Sequence, residues 1–234
     1  MPRLDPELFI SHIALEAKLA CVLKEQIETA FEQKSHVFVS SSPDDISTGK
    51  QWLKQISDAL NTSKALLILC SKTSIYSPWL FLEAGFAMSR GLTLLPICHG
   101  GQEKDNLPLP LALSQCLELS GSGFSQRLIS DLSNILQLRP TPSINHKKND
   151  GQALKMAKDA SFKLSVLRAI EGRHWATCTA IDLGSTLGTT EVVMRKHLRF
   201  LCSGGYLRTT KNVQKKVCYL LISKGRRLLQ IGYN

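Results

Sequence analysis

The chain has 234 residues, enough for one large or two small domains, and 43% of them are hydrophobic, as is ordinary for a globular protein. It contains no long apolar run, and its N-terminus lacks the basic and then apolar pattern of a signal peptide, so we expect no transmembrane helix and no membrane partner. Seven cysteines are scattered and never spaced Cys-x-x-Cys. They are typical of buried thiols in a reducing compartment and predict a cytoplasmic protein without a metal site.

The net charge of +10 hides a strong asymmetry between two parts of the chain. Residues 1–138 contain 11 Lys and Arg against 14 Asp and Glu, a net charge of −3. Residues 139–234 contain 18 against 5, a net charge of +13. Basicity confined to one part of the chain indicates an anionic partner for that part, and nucleic acid is the first candidate.

Apolar runs alternate with amphipathic segments along the first 138 residues. Strands are predicted at residues 8–13, 35–40, 65–70, 93–98 and 116–119. Helices are predicted at 14–32, 52–60, 78–89 and 124–136, with a short helical turn at 110–115. This alternation predicts an α/β fold, a doubly wound parallel five-stranded sheet.

The pattern changes at residues 139–152, where two prolines and the lack of an apolar period predict a linker. Beyond it we predict helices at 154–170, 177–187 and 191–202, a hairpin of strands 206–209 and 217–221 around a basic tip, and a last helix from Ser223. The predicted domains are therefore residues 7–138 and 153–234, the second a small α+β domain.

The most informative stretch is Ser77-Pro78-Trp79-Leu80-Phe81-Leu82-Glu83-Ala84-Gly85. Pro78 suits the first turn of a helix, and Trp79 and Glu83 are four residues apart, on one face of that helix. They follow a buried central strand, at the sheet edge where α/β proteins bind ligands. A packing Trp and a Glu that complements the helix dipole would explain the pair equally simply. However, a carboxylate on so apolar a helix is costly unless it faces a wet cleft or a partner.

Four pieces of the first part resemble, in order, a bacterial Toll/interleukin-1 receptor (TIR) domain, which has a flavodoxin-like sheet. They are Phe9-Ile10-Ser11-His12, then Asp44-Asp45-Ile46 with Gly49 and Trp52, then residues 71–77, then Trp79-x-x-x-Glu83. The resemblance covers about residues 7–138. Leu80, where Cys is frequent in the family, and His12 depart from the family pattern.

The resemblance implies an NAD+ nucleosidase, which cleaves the nicotinamide–ribose bond with NAD+ as substrate and with no cofactor. By resemblance Glu83 is the catalytic residue, Trp79 stacks on a flat ring, and Phe9, Ser11, Ser41 and Trp52 line the dinucleotide. A carboxylate suits this reaction because positive charge develops at the anomeric carbon, as it does in glycoside hydrolysis. The chain has no Gly-x-Gly-x-x-Gly fingerprint, which argues against a Rossmann redox site.

Residues 160–234 resemble a winged helix-turn-helix. The resemblance is carried by residues 197–201, by Gly205-Tyr206-Leu207, and by residues 222–229. It implies DNA contacts from the third helix and from the hairpin, the wing. The implied contact residues are Thr190, Arg195, Lys196, Arg199, Lys211, Lys215 and Lys216. Winged helices also dock proteins, so a protein or nucleoprotein partner stays open.

Together the two resemblances imply an antiphage or toxin effector, a hydrolase that the C-terminal part controls by sensing nucleic acid or a nucleoprotein. The resemblance also implies that the TIR domain forms a homo-oligomer when active, through the loop after the second strand, to which residues 44–50 correspond. Two alternatives remain: a nucleoside or nucleotide N-glycosidase similar to nucleoside deoxyribosyltransferases, and a non-enzymatic DNA-binding regulator. Whether the product is linear or cyclic ADP-ribose stays open.

Overall fold

The computed structural model describes residues 7–39, 49–173 and 178–230, with the backbone alone for residues 49–52 and 230. Two compact units divide the chain, residues 1–158 and residues 159–234. None of the described helices is both long and apolar enough to cross a membrane.

The first unit contains a parallel five-stranded sheet flanked by helices. Its strands are β1 (Leu8–Ser11), β2 (Val37–Val39), β3 (Ala65–Cys70), β4 (Thr93–Cys98) and β5 (Leu117–Glu118). Its helices are α1 (Ala17–Ala30), α2 (Gly49–Thr62), α3 (Pro78–Ser89) and α4 (Phe124–Leu136), followed by α5 (His146–Glu171), which contains the division between the units. The strand order β2-β1-β3-β4-β5 confirms the predicted α/β sheet.

The central strand β3 explains why its sequence is one continuous apolar run. Ala65, Leu67 and Leu69 belong to one buried cluster, in which α1 and α4 also pack. Leu66, Ile68 and Cys70 belong to a second cluster on the other face, together with α2 and α3. A parallel strand covered on both faces needs apolar side chains at every position, without polar alternation.

Several element bounds differ from the prediction by a few residues, and two of these differences have a clear local reason. The first strand ends at Ser11 instead of residue 13, because residues 14–16 form a 3₁₀ helix in which Ile13 N donates to the Glu16 carboxylate. Helix α5 begins at His146, within the predicted linker, because Asn145 caps it by accepting a hydrogen bond from Lys148 N at 3.0 Å. The domain boundaries as such remain a prediction.

The second unit contains helices and an antiparallel hairpin close to their predicted positions. Its elements are α6 (Ala180–Thr186), α7 (Glu191–Ser203), β6 (Leu207–Lys211), β7 (Val217–Leu221) and α8 (Ser223–Gln230). The strands pair from Leu207 with Leu221 to Lys211 with Val217. Thr179 and Thr190 cap α6 and α7, and Gly205, with φ +72°, follows the end of α7. The winged helix-turn-helix assignment stays a prediction.

Candidate active site

Glu83 lies on the buried side of α3, although the helix looks apolar nearly all round in the sequence. The buried residues of α3 are Leu80, Glu83, Ala84 and Ala87, which recur at helical spacing. Leu82, next to Glu83, is exposed instead. The carboxylate therefore belongs to the stripe of α3 that faces the protein, where a charge needs a specific environment.

Two side chains donate hydrogen bonds to the carboxylate, one to each oxygen. Ser11 Oγ, at the end of β1, donates to Oε2, and Trp79 Nε1, one turn earlier on α3, donates to Oε1 at 2.9 Å. Glu83 is only 1% exposed, and no ion pair to it exists within the described ranges. Hence a buried carboxylate is held by neutral donors alone.

The environment of Glu83 shifts its acidity strongly. Burial raises the pKa of this carboxyl group from 4.5 to about 7, against the opposing effect of the hydrogen bonds from Ser11 and Trp79. Near neutral pH the group is consequently divided between its acid and its carboxylate form. A side chain of this kind, in a cleft, is a candidate for catalysis.

A cavity of about 430 Å³ lies between α2 and α3 and includes Glu83 in its wall. This volume is within the usual range of small-molecule sites. Among the described residues of the wall, Glu83 is the ionisable one. The wall consists of Leu53, Ile56, Ser57, Leu60, Trp79, Phe81, Leu82, Glu83, Gly85 and Phe86.

The residues predicted to line a dinucleotide lie in different surroundings. Ser11 and half-buried Trp79 both contact Glu83. Phe9 is completely buried in the core, with its ring 5.0 Å from that of Phe38. Ser41 and the side chain of Trp52 lie outside the described residues, as does most of the loop at 44–50. The roles assigned to all five side chains stay predictions.

A second buried carboxylate, Glu16, lies at the same edge of the sheet and was missed in the sequence. Ser71 Oγ, just after β3, donates to Glu16 Oε1 at 2.6 Å, and His99 Nε2, just after β4, is 3.1 Å from the same oxygen. Burial raises the pKa of Glu16, but the His99 ring and the hydrogen bonds outweigh it and hold the pKa below its usual value. The sequence feature that could have indicated this site is a polar residue directly after each of two central strands, Ser71 after β3 and His99 after β4.

The residues predicted to contact nucleic acid are all exposed on the second unit. On α7, Arg195 pairs with Glu191, its Nε donating to Oε1 at 2.6 Å, while Thr190 also caps the helix. At the hairpin tip, the Asn212 side chain accepts hydrogen bonds from the backbone N–H groups of Gln214 and Lys216 and so shapes the turn. The full predicted set is Thr190, Arg195, Lys196, Arg199, Lys211, Lys215 and Lys216.

Comparison with known proteins identifies the first unit. The family model described as TIR domain matches residues 8–132, just over half of the chain. No curated protein matches the chain.

Two solved structures are similar over part of the chain. The structure of a metazoan TIR-STING receptor from C. gigas in complex with 2',3'-cGAMP is 23% identical over 63% of this chain, with a TM-score of 0.41. The chain spans 45% of that receptor chain. The TIR domains of the activated Roq1 resistosome, which directly recognises the pathogen effector XopQ, are 14% identical over 64% of this chain and 82% of theirs, with a TM-score of 0.32.

Proposed function

Because this chain belongs to the TIR domain family, we propose that it is an NAD+ glycohydrolase that breaks the nicotinamide–ribose bond, with Glu83 as its catalytic carboxylate. One observation carries the proposal. Glu83, whose buried carboxylate is bound by neutral donors and has no cationic partner among the described residues, is one of the residues that line an otherwise largely apolar cavity.

The reaction needs one negative group close to the anomeric carbon. As the C–N bond breaks, its electron pair moves to the pyridinium nitrogen, and nicotinamide leaves as a neutral molecule. The ribose is then a cation of the oxocarbenium type, which a nearby carboxylate stabilises or attacks. Water completes the reaction, giving ADP-ribose and one proton. No general acid is required for the leaving group, which fits a site whose described wall holds a single ionisable group.

The hydrogen bonds to Glu83 are suited to this role. A carboxylate has about four lone-pair positions, and Ser11 and Trp79 occupy one on each oxygen. The carboxylate is thereby oriented but keeps acceptor capacity towards a substrate. In addition, apolar surroundings strengthen the attraction between a carboxylate and a developing cation.

The test is to incubate the full chain with NAD+, with and without duplex DNA, and to measure nicotinamide release. We expect release by the wild-type protein and none above background by Glu83→Gln. The matched control is Glu118→Gln, which changes an exposed carboxylate on the edge strand β5 and should release nicotinamide at the wild-type rate. Free base from a nucleoside substrate, without nicotinamide from NAD+, would instead support the deoxyribosyltransferase-like alternative.

We also propose that the C-terminal unit binds nucleic acid and thereby controls the first unit. The support is the charge of this unit, in which residues 159–234 contain 13 Lys and Arg against 4 Asp and Glu, a net charge of +9, and the exposure of all seven predicted contact residues. On α7 and at the hairpin tip these side chains are available to phosphates, which supply affinity without sequence information.

Salt dependence tests this second proposal. Replacing Lys211, Lys215 and Lys216 together by Gln should lower the slope of log K against log salt by up to about 3, because each lost phosphate contact removes roughly 0.9. The control replaces three exposed lysines of the first unit, Lys18, Lys34 and Lys104, and makes the same change in net charge. Equal effects of the two triple variants in gel-shift assays would contradict a specific role of the hairpin.

The proposed role in the cell is that of an antiphage or toxin effector. Expression of the full chain in bacteria should then deplete NAD+ and stop growth, and Glu83→Gln should do neither. DNA binding that persists without any loss of NAD+, with or without DNA, would favour the non-enzymatic regulator.

A further inference from the structure

Two cysteines that are far apart in the sequence meet at the edge of the sheet. Cys98 is the last residue of β4, and Cys116 directly precedes β5. Their Sγ atoms are 3.2 Å apart, close enough for a hydrogen bond between the two thiols. The parallel pairing of β4 with β5, Ile97 with Leu117 and Cys98 with Glu118, brings them together.

The two thiols differ in access and in acidity. Cys98 is 2% exposed, whereas Cys116 is half-buried and reaches the surface. A hydrogen bond from the Cys98 thiol to the Cys116 thiolate is the main influence on both: it lowers the pKa of Cys116 and raises that of Cys98, and burial acts further on Cys98 in the same direction. Cys116 is therefore the accessible member and forms the thiolate more readily, which is the form that reacts with oxidants.

We propose that Cys98 and Cys116 form a modification site at which a small peroxide produces an intramolecular disulfide. The Cys116 thiolate attacks one oxygen of hydrogen peroxide, the O–O bond breaks, and a sulfenic acid and hydroxide result, the hydroxide taking up the proton that the thiol had released to become water. The sulfur of Cys98 then attacks the sulfenic sulfur, loses its proton, and releases a second water. The two thiols together lose two electrons, and one peroxide gains them. A dithiol reductant reverses the change by thiol–disulfide exchange.

The position of the pair gives the disulfide a structural consequence. Strand β5 has two residues and pairs with β4 at two positions only. The disulfide joins these strands covalently and closes the segment 99–115, which begins with the His99 that pairs with Glu16. Cys98 also belongs to the apolar cluster that contains Leu80 and Ala84 of α3. Oxidation thus restrains the edge of the sheet beside the helix that carries Glu83.

Trypsin separates the two cysteines, which makes the site measurable. Cleavage after Arg90, Lys104 and Arg127 gives peptides 91–104 and 105–127, each with one cysteine. The full-length protein is treated with one to a few equivalents of hydrogen peroxide, alkylated, digested and analysed by mass spectrometry. We expect the two peptides to be linked and together two hydrogen atoms lighter, and we expect dithiothreitol to separate them.

Exposed Cys21 on α1 is the internal reference. The proposal is overturned if Cys21 is fully oxidised while peptides 91–104 and 105–127 remain separately alkylated, or if Cys116 becomes sulfinic acid without a link. Cys116→Ser should abolish the linked species and Cys21→Ser should keep it. Should Cys116→Ser fail to fold, the peptide map of the wild-type protein still decides the question.

Discussion

Two buried carboxylates lie at the same edge of the sheet in opposite environments. Glu16 has an imidazole ring 3.1 Å away and accepts hydrogen bonds from Ser71 and from the Ile13 backbone, and its pKa is lowered. Glu83 has two neutral donors, a cavity on one side, and a pKa raised to about 7. Both are 1% exposed, so burial alone does not distinguish them.

The difference indicates which carboxylate is available for chemistry. The His99 ring and the hydrogen bonds stabilise the charge of Glu16, so this carboxylate is already satisfied within the fold. Glu83 lacks a cationic partner among the described residues, so a cation that forms in the cavity can take that place. We infer that the protein keeps Glu83 ready for a positive ligand at a cost in stability, and the following predictions test this contrast.

The largest expected effect is on turnover. Glu83→Gln removes the proposed catalytic charge and should lower kcat for NAD+ cleavage by ~10³-fold or more. Glu16→Gln removes a charge that is satisfied within the fold, so kcat per folded molecule should stay within a few-fold of wild type. Comparable losses in both variants, measured as nicotinamide release per folded protein, would contradict the distinction.

The next effect is on stability: Glu83→Gln and Glu16→Gln should change the free energy of unfolding in opposite directions. The folded-state pKa of Glu83 is raised, so its contribution to stability is present below about pH 4.5 and is lost as the pH rises through about 7. The full loss is roughly 3 kcal/mol, since each pKa unit corresponds to about 1.4 kcal/mol. Glu83→Gln should therefore gain stability relative to wild type between pH 4.5 and pH 8, as measured by urea unfolding.

Glu16 titrates in the opposite direction. Its lowered pKa means that its contribution to stability is present above about pH 4.5 and is lost as the pH falls through the folded-state value. Glu16→Gln should destabilise the protein at pH 8, by roughly 1 to 3 kcal/mol, because it leaves buried polar groups less well satisfied. If Glu16→Gln raised the free energy of unfolding at pH 8, or Glu83→Gln lowered it, the predicted difference between the two carboxylates would be contradicted.

A smaller effect concerns the pH dependence of the reaction. If the carboxylate form of Glu83 is the active one, kcat/KM should rise with pH through about 7. Ser11→Ala removes a hydrogen bond to that form and should shift the rise to higher pH by roughly one to two units. Ser74→Ala is the control, since the Ser74 hydroxyl is equally buried but donates to Leu69 O. The profile of the control should not move.

The smallest effect is expected at Ser71. Its hydroxyl donates to Glu16 and lies 3.0 Å from that of Ser74. Ser71→Ala should lower the free energy of unfolding by about 1 kcal/mol and leave the pH profile of kcat/KM unchanged. A shifted pH profile would show that Glu16, together with Ser71 and His99, also influences the reaction.

The sequence alone determined the features that depend on short-range pattern. The bounds of β3, α3 and α4 were predicted correctly, because a buried run or a helical period lies entirely within the segment concerned. The spacing of Trp79 and Glu83 likewise identified a pair on one helix face, and the structure joins them by a hydrogen bond. The difference in net charge between residues 1–138 and residues 139–234 follows directly from the residue counts.

Only the tertiary structure decided which residues meet across the sheet. Ser11 and Glu83 are 72 positions apart, and Glu16 reaches Ser71 over 55 positions. Cys98 and Cys116 touch because β4 and β5 pair in one particular register. No local period encodes such contacts, since they follow from strand order and register, which the whole core fixes at once. The structure thus added what surrounds Glu83, and with it the pKa on which its proposed chemistry depends.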